Sequence, residues 1–172
     1  LRMGFTPDPR SGDYLLWTDT LSSLLRLSLG VVSAAVVGLF LGLNMGLYPL
    51  ARHLLLPVTT FVSIIPPLAI LPIIFITFGI DEFAKIMLIF LGTFPLITRD
   101  IYQAAMATPV EQVTKALTLG ASPLQVVYRV VLPQIMPRLI DTVRLAMGGA
   151  WLFLIAAEAI ASTDGLGYRI FL

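Results

Sequence analysis

Cysteine is absent from this chain of 172 residues, and histidine occurs once, as His53. Without cysteine a disulfide scaffold is excluded. A single histidine cannot assemble a metal site of the usual His/Cys kind, and His53 reads as an interfacial residue beside Arg52. Charge is also scarce, at 12% of residues, against the ~25% of soluble domains. So few charges cannot cover the surface of a soluble globule, and they do not fit a disordered chain either. The balance of 11 Lys+Arg against 10 Asp+Glu supplies no basic patch for nucleic acid. No G-x-x-x-x-G-K-[S/T] run is present, so the chain carries no P-loop of its own. What fills the space is apolar: 58% hydrophobic residues and a mean hydropathy of +0.93. The class left is an all-α integral membrane protein, in contact with lipid.

A membrane-crossing helix needs ~20 mostly apolar residues. Residues 27–51, between Arg26 and Arg52, and 54–80, between His53 and Asp81, contain no Asp, Glu, Lys or Arg, and both stretches are long enough. A third stretch, 86–98, is apolar but short and must borrow 83–85, with Lys85 snorkelling towards the interface. The fourth, 139–161, carries Asp141 and Arg144 near one end and Glu158 near the other. Four spans are therefore expected within 21–172, preceded by a polar extramembrane arm over 1–20. That arm lacks the basic start and apolar run of a signal peptide. The loop-like STDGLGY close to the last residue makes the chain read as a fragment with further spans beyond it. Lys and Arg favour the cytoplasmic side; with the 99–138 connection inside, that side holds Arg52, Arg99, Lys115, Arg129 and Arg138.

Three features mark the spans. Gly30, Ala34, Gly38, Gly42 and Gly46 recur every four residues and make one smooth helix face. Small residues let helix backbones approach in lipid, so this face reads as a seam, within the subunit or across a dimer, against the alternative of ordinary glycine richness. Pro66, Pro67 and Pro72 interrupt the second span. Each removes a backbone donor and clashes with the preceding turn, which predicts a break. Irregular backbone at membrane depth must be buried or line a cavity, so Pro66 and Pro67 are candidates for a solute pathway or for a packed kink. Glu158, late in an apolar helix, is a candidate for that pathway or for a structural ion pair, with Arg26 as the possible partner.

The long connection over 99–138 holds the densest local signals. Thr108-Pro109-Val110-Glu111 and Ser122-Pro123-Leu124-Gln125 both read as capping boxes with proline at the first helical position. They predict short helices from 109 and from 123, with Gly120 ending the first and Pro133 stopping the second. A bare connector needs only ~2–8 residues. Two amphipathic helices suit docking into a partner's groove or lying on the membrane surface.

Ala116-Leu-Thr-Leu-Gly120-Ala121-Ser122, followed by Val130-Val131-Leu132-Pro133, resembles the EAA loop of bacterial ABC-importer permeases. Gly120, Val130, Leu132 and Pro133 fall at that loop's spacing and Ala116 fits its second alanine. Thr114 and Lys115 stand where the loop's Glu and first alanine would be, with Glu111 one turn earlier. Arg144-Leu-Ala, Gly148-Gly-Ala-Trp151, Ala157-Glu158 and Gly165-Leu-Gly-Tyr168 are similar to the nitrate/sulfonate/taurine branch. The resemblance implies a polytopic MetI-like permease of about six spans in the bacterial inner membrane. Its implied partners are a cytoplasmic ABC ATPase, an external solute-binding protein and a second permease copy. It also implies that Glu111, Ala116, Gly120, Ala121, Ser122, Val130, Leu132 and Pro133 couple the chain to the ATPase. ATP and Mg belong to that ATPase, so this chain is expected to bind no cofactor and catalyse nothing. The expected solute is a small anion or a nitrogen or sulfur compound. A channel or secondary transporter without ATP is the alternative.

Overall fold

A computed structural model describes residues 14–171, and among these every regular element is helical. α1 spans Leu15–Leu47, α2 Pro49–Ile64, a 3-10 turn Pro67–Ile70 and α3 Leu71–Phe78. α4 spans Glu82–Met106, α5 Val110–Thr118, α6 Pro123–Val126, a π turn Val127–Val131, α7 Leu132–Ala161 and α8 Leu166–Ile170. Of the arm expected over 1–20, residues 1–13 lie outside the described residues, and 15–20 belong to α1.

Prolines set the first boundaries. Pro49 disfavours helical geometry at Tyr48, which ends α1, and itself opens α2. The break expected at Pro66 and Pro67 is present: α2 stops at Ile64 and the helix re-forms only at Pro67. By length and composition α1 and Pro123–Ala161 can each cross a membrane, and the broken pair α2–α3 makes up to three. α4, which holds the expected span 83–98, does not meet that measure. Glu82, Lys85, Arg99 and Asp100 near its ends leave too short an apolar middle.

The described residues divide into two units. One takes in the chain up to Ser33, Ile65–Thr93 and the chain from Gly148 onward. Its core is Leu71, Ile74, Ala84, Leu88 and Ala157, packed against Phe153. Gly92 lies directly under the Phe153 ring, where no side chain would fit. In this unit Gly30 of α1 meets Ile89 of α4, and a Cβ there would stand 2.7 Å from the Ile89 Cβ.

The second unit comprises Ala34–Ile64 and Phe94–Met147. Here Gly38 meets Ile97, Gly42 meets Ile101 and Gly46 meets Ala105. Every glycine keeps the same residue offset to its α4 partner, so α1 and α4 run parallel. Ala34 is fully buried.

Candidate coupling site and polar cluster

The α5–α6 connection is built from the backbone outward. Gly120 takes φ +83. Its N–H donates to the Leu117 carbonyl at 3.0 Å, and Ala121 N–H donates to the Ala116 carbonyl at 3.1 Å. These two bonds close the end of α5 as a Schellman turn. A Cβ at Gly120 would meet nothing within 4 Å, so glycine is needed for its dihedral, not for space. Ser122 then caps α6: Gln125 N–H donates to Ser122 Oγ at 3.3 Å, and Ser122 N–H donates to Gln125 Oε1 at 2.8 Å.

Two expectations fail here. The Thr108 capping box does not form. Pro109 is extended, at φ −61 and ψ 127, and is itself the N-cap of α5. That displaces the helix start by one residue and leaves Glu111 second in the helix, so Thr108 Oγ1 is buried without a hydrogen-bond partner. Pro133 does not stop the second helix either. The chain widens through the π turn, where Leu132 N–H reaches back to Val127 O, and continues as α7. A widened turn accommodates the proline ring, which would otherwise clash with the carbonyl four residues back.

The structure brings Ala116, Gly120, Ala121 and Ser122 into one turn. Val130 is tied in by Gln134, whose Nε2 donates to Val130 O at 2.8 Å and to Gln112 Oε1 of α5 at 2.7 Å. Leu132 is half-buried, while Pro133 and Glu111 are exposed. Below, Val113, Leu117, Pro123, Val126 and Val127 line a cleft with Leu47 and Tyr48. Outward, Val110, Leu119, Leu124 and Tyr128 are each at least 65% exposed. Arg138 of α7 grips Asp100 of α4 through two bonds of 2.7 and 2.6 Å, and Thr142 also donates to Asp100.

In the first unit Glu158 is fully buried. It accepts from Arg26 Nη1 at 2.8 Å, from Ser23 Oγ at 2.7 Å and from Gly167 N–H at 2.8 Å. Arg26 also pairs with Glu82 and with Asp164, the latter at 2.8 Å. Lys85 donates to Glu82 and to Ser162. Asp19 accepts from Arg169 and from Gly165 N–H, which holds the segment leading into α8. Gly167 lies so close that a Cβ would stand 2.7 Å from the Ile155 carbonyl. Burial pushes the Asp164 carboxyl up, but the hydrogen bond and charge of Arg26, with hydrogen bonds from Ser22 and Ser162, together outweigh it and hold the group below its ordinary value. Sequence reading found the Arg26–Glu158 pair and missed Glu82, Asp164 and Asp19, whose one signal is that they border apolar runs. Pro66 is exposed and Pro67 half-buried at the break. Among the described residues no group of His, Cys, Asp and Glu is placed to hold a metal ion.

Residues 34–172 match the family described as binding-protein-dependent transport system inner membrane component. The chain belongs to that family. It is 37% identical over 158 residues to the taurine transport system permease protein TauC of Escherichia coli, covering 92% of this chain and 58% of TauC. It is 32% identical to the putative aliphatic sulfonates transport permease protein SsuC of Bacillus subtilis, over 86% of this chain and 54% of SsuC. It is 31% identical to the bicarbonate transport system permease protein CmpB of Synechocystis, over 91% and 56%. The chain thus spans a little over half the length of these curated relatives, which belong to the branch its motifs resemble. Among solved structures, the inward-facing MetNI methionine ABC transporter superposes with a TM-score of 0.76 at 21% identity, covering 94% of this chain and 81% of that one. The fold of this permease-family chain is therefore MetI-like and all-helical.

Proposed function

We propose that this chain is a permease component of an ATP-driven importer in the bacterial inner membrane, and that residues 108–133 seat in a groove of a cytoplasmic ABC ATPase. The observation that carries this reading is the helix–turn–helix of α5 and α6. It is fixed by the Gly120 turn and the Ser122 cap, yet presents Val110, Leu119, Leu124 and Tyr128 outward. Apolar side chains held rigidly in the open mark a contact surface, and amphipathic helices dock by laying such a face into a groove. ATP and Mg belong to the ATPase. An external solute-binding protein delivers the solute, and a second permease copy completes the pathway.

The parallel course of α1 and α4 supports the topology. If both cross in the same direction, the chain between them returns once, and the broken pair α2–α3 is that return. The solute is a small oxyanion-bearing compound: taurine, aliphatic sulfonates and bicarbonate, for which the relatives are named, all carry such a group.

Gly120→Val tests the coupling element. A β-branched residue resists positive φ at a cost of ~1–2 kcal/mol, so the turn opens and α6 leaves α5 at another angle. Membrane insertion stays normal, while recovery of the ATPase with the permease falls and solute uptake is lost. Ala121→Ser is without effect. Full ATPase recovery and uptake with valine at 120 would overturn the assignment.

A further inference from the structure

We propose that Gln134 positions the coupling segment on α7: its carboxamide is the strut that carries movement of α5 into the span and so ties ATP hydrolysis to transport. This rests on the permease reading above. Among the described residues one hydrogen bond joins α5 to another helix, from Gln134 Nε2 to Gln112 Oε1 at 2.7 Å. The same Nε2 donates to Val130 O at 2.8 Å, which holds the amide in place for Gln112. One side chain on the first turn of α7 therefore grips both the π turn and α5. The hydroxyls of α5 do not compete for that role: Thr114 and Thr118 donate to Val110 O and Lys115 O of their own helix. All these residues lie in the second unit.

The bond stands beside a cleft of about 420 Å³ that Gln134 lines with Asp100, Gln103, Thr108, Ile135 and Arg138. No residue of α5 lines that cleft, so packing does not brace α5 against the end of α4 there. Thr108, just ahead of α5, has its Oγ1 buried without a partner and gives the start of the helix no anchor. Elsewhere Val113 and Leu117 meet Leu47 and Tyr48 across the apolar cleft. Such contacts are non-directional: they keep α5 close but leave it free to turn. A hydrogen bond has a preferred direction, so the Gln112–Gln134 bond sets the angle. Both glutamines are exposed, and a neutral bond exchanged with water adds little net stability. Its loss therefore leaves folding and insertion intact and shows only when α5 is driven.

The test uses the complete transporter, with its ATPase and solute-binding protein, in proteoliposomes, and reads radiolabelled taurine or bicarbonate taken up per ATP hydrolysed. Gln112→Ala and Gln134→Ala leave insertion and ATPase recovery unchanged and lower that ratio about three- to tenfold, the factor that one neutral hydrogen bond contributes. The double variant is no worse than Gln134→Ala, because the two residues share one bond. Gln112→Glu, whose carboxylate still accepts from Gln134, keeps the ratio of the wild type. A loss of folding alone would lower the amount of transporter and leave the ratio where it was. The chain has no cysteine, so spin labels on Thr114→Cys and Asp141→Cys, both exposed positions, report the distance between α5 and α7. That distance stays narrowly distributed with and without a non-hydrolysable ATP analogue, broadens in the alanine variants and is narrow again with Gln112→Glu. For a solute outside the pair of probes the distance alone decides. An unchanged ratio or an unbroadened distance in the alanine variants overturns the strut alone, as does a Gln112→Glu variant that behaves like Gln112→Ala. A wild-type chain that recovers no ATPase overturns the permease reading and this inference with it.

Discussion

At Gly42 one added carbon would stand 2.8 Å from Ile101 and 2.8 Å from the Thr98 carbonyl. The carbonyl belongs to the backbone of α4 and cannot step aside as a flexible side chain can. Gly42→Leu therefore forces α1 away from α4, at the ~1–3 kcal/mol typical of overpacking. Val36, 63% exposed on the same helix, accepts leucine freely. Thermal unfolding in detergent separates the two: the midpoint drops for Gly42→Leu and holds for Val36→Leu. Asp164 gives a pH dependence. Its carboxyl is held below the ordinary value by Arg26 against the opposing effect of burial. A depressed carboxyl stabilises the fold above the unfolded pKa of ~3.9 and loses that contribution as pH falls through its lower folded value. The stability difference between the wild type and Asp164→Asn should hold steady from neutral pH to about pH 5 and vanish in stronger acid, as read from unfolding midpoints across that range.

The helices of the coupling segment show what a sequence reveals and what it hides. Ser122 and Thr108 look alike in sequence, each a hydroxyl before proline with Glu or Gln three residues on. Only Ser122 caps a helix. The difference is the backbone of Pro109, which stays extended, and no local pattern distinguishes it from Pro123. Ser122→Ala should therefore cost ~1 kcal/mol and speed amide hydrogen exchange at Gln125. Thr108→Val should be neutral or stabilising, because it removes a buried hydroxyl that has no partner. Equal effects of the two substitutions would contradict the assignment. Gly120 was legible because positive φ selects glycine, and the Pro66–Pro67 break was legible because proline cannot donate. Pro133 misled because the same residue ends a helix or rides a π turn, and Val127-Tyr-Arg-Val-Val carries no mark of that turn. The four-residue spacing of the glycines announced a smooth face but not that α4 lies against it. The Arg26–Glu158 pair was readable from charges inside apolar runs. Asp164 was not, because the fold of the chain around Gly165 brings it there.

Across the chain, the proposed topology sets which residues water reaches from each side. Cysteines placed at Lys115 and Gln125 should react with impermeant reagents only from the cytoplasm, and one at Asp81 only from outside. The reverse pattern would remove the ATPase from reach of α5 and α6. The distribution of chemistry follows the same division: the exposed apolar surface of α5 and α6 lies between spans, while the saturated ion cluster ties α1, α4 and the end of α7 in the other unit. The continuity of Pro123–Ala161 through Pro133 has a mechanical meaning. This run of 39 residues is about 58 Å long at 1.5 Å per residue. A helix that had stopped at Pro133 would have left the cap and the span joined by slack. An unbroken one joins the cap to the span with no free linker, even though the π turn and Pro137 each interrupt its regular hydrogen bonding. A push received at the Ser122 cap would then enter the span without slack, so under the proposed reading the stroke of a motor outside the bilayer is handed directly to a helix inside it.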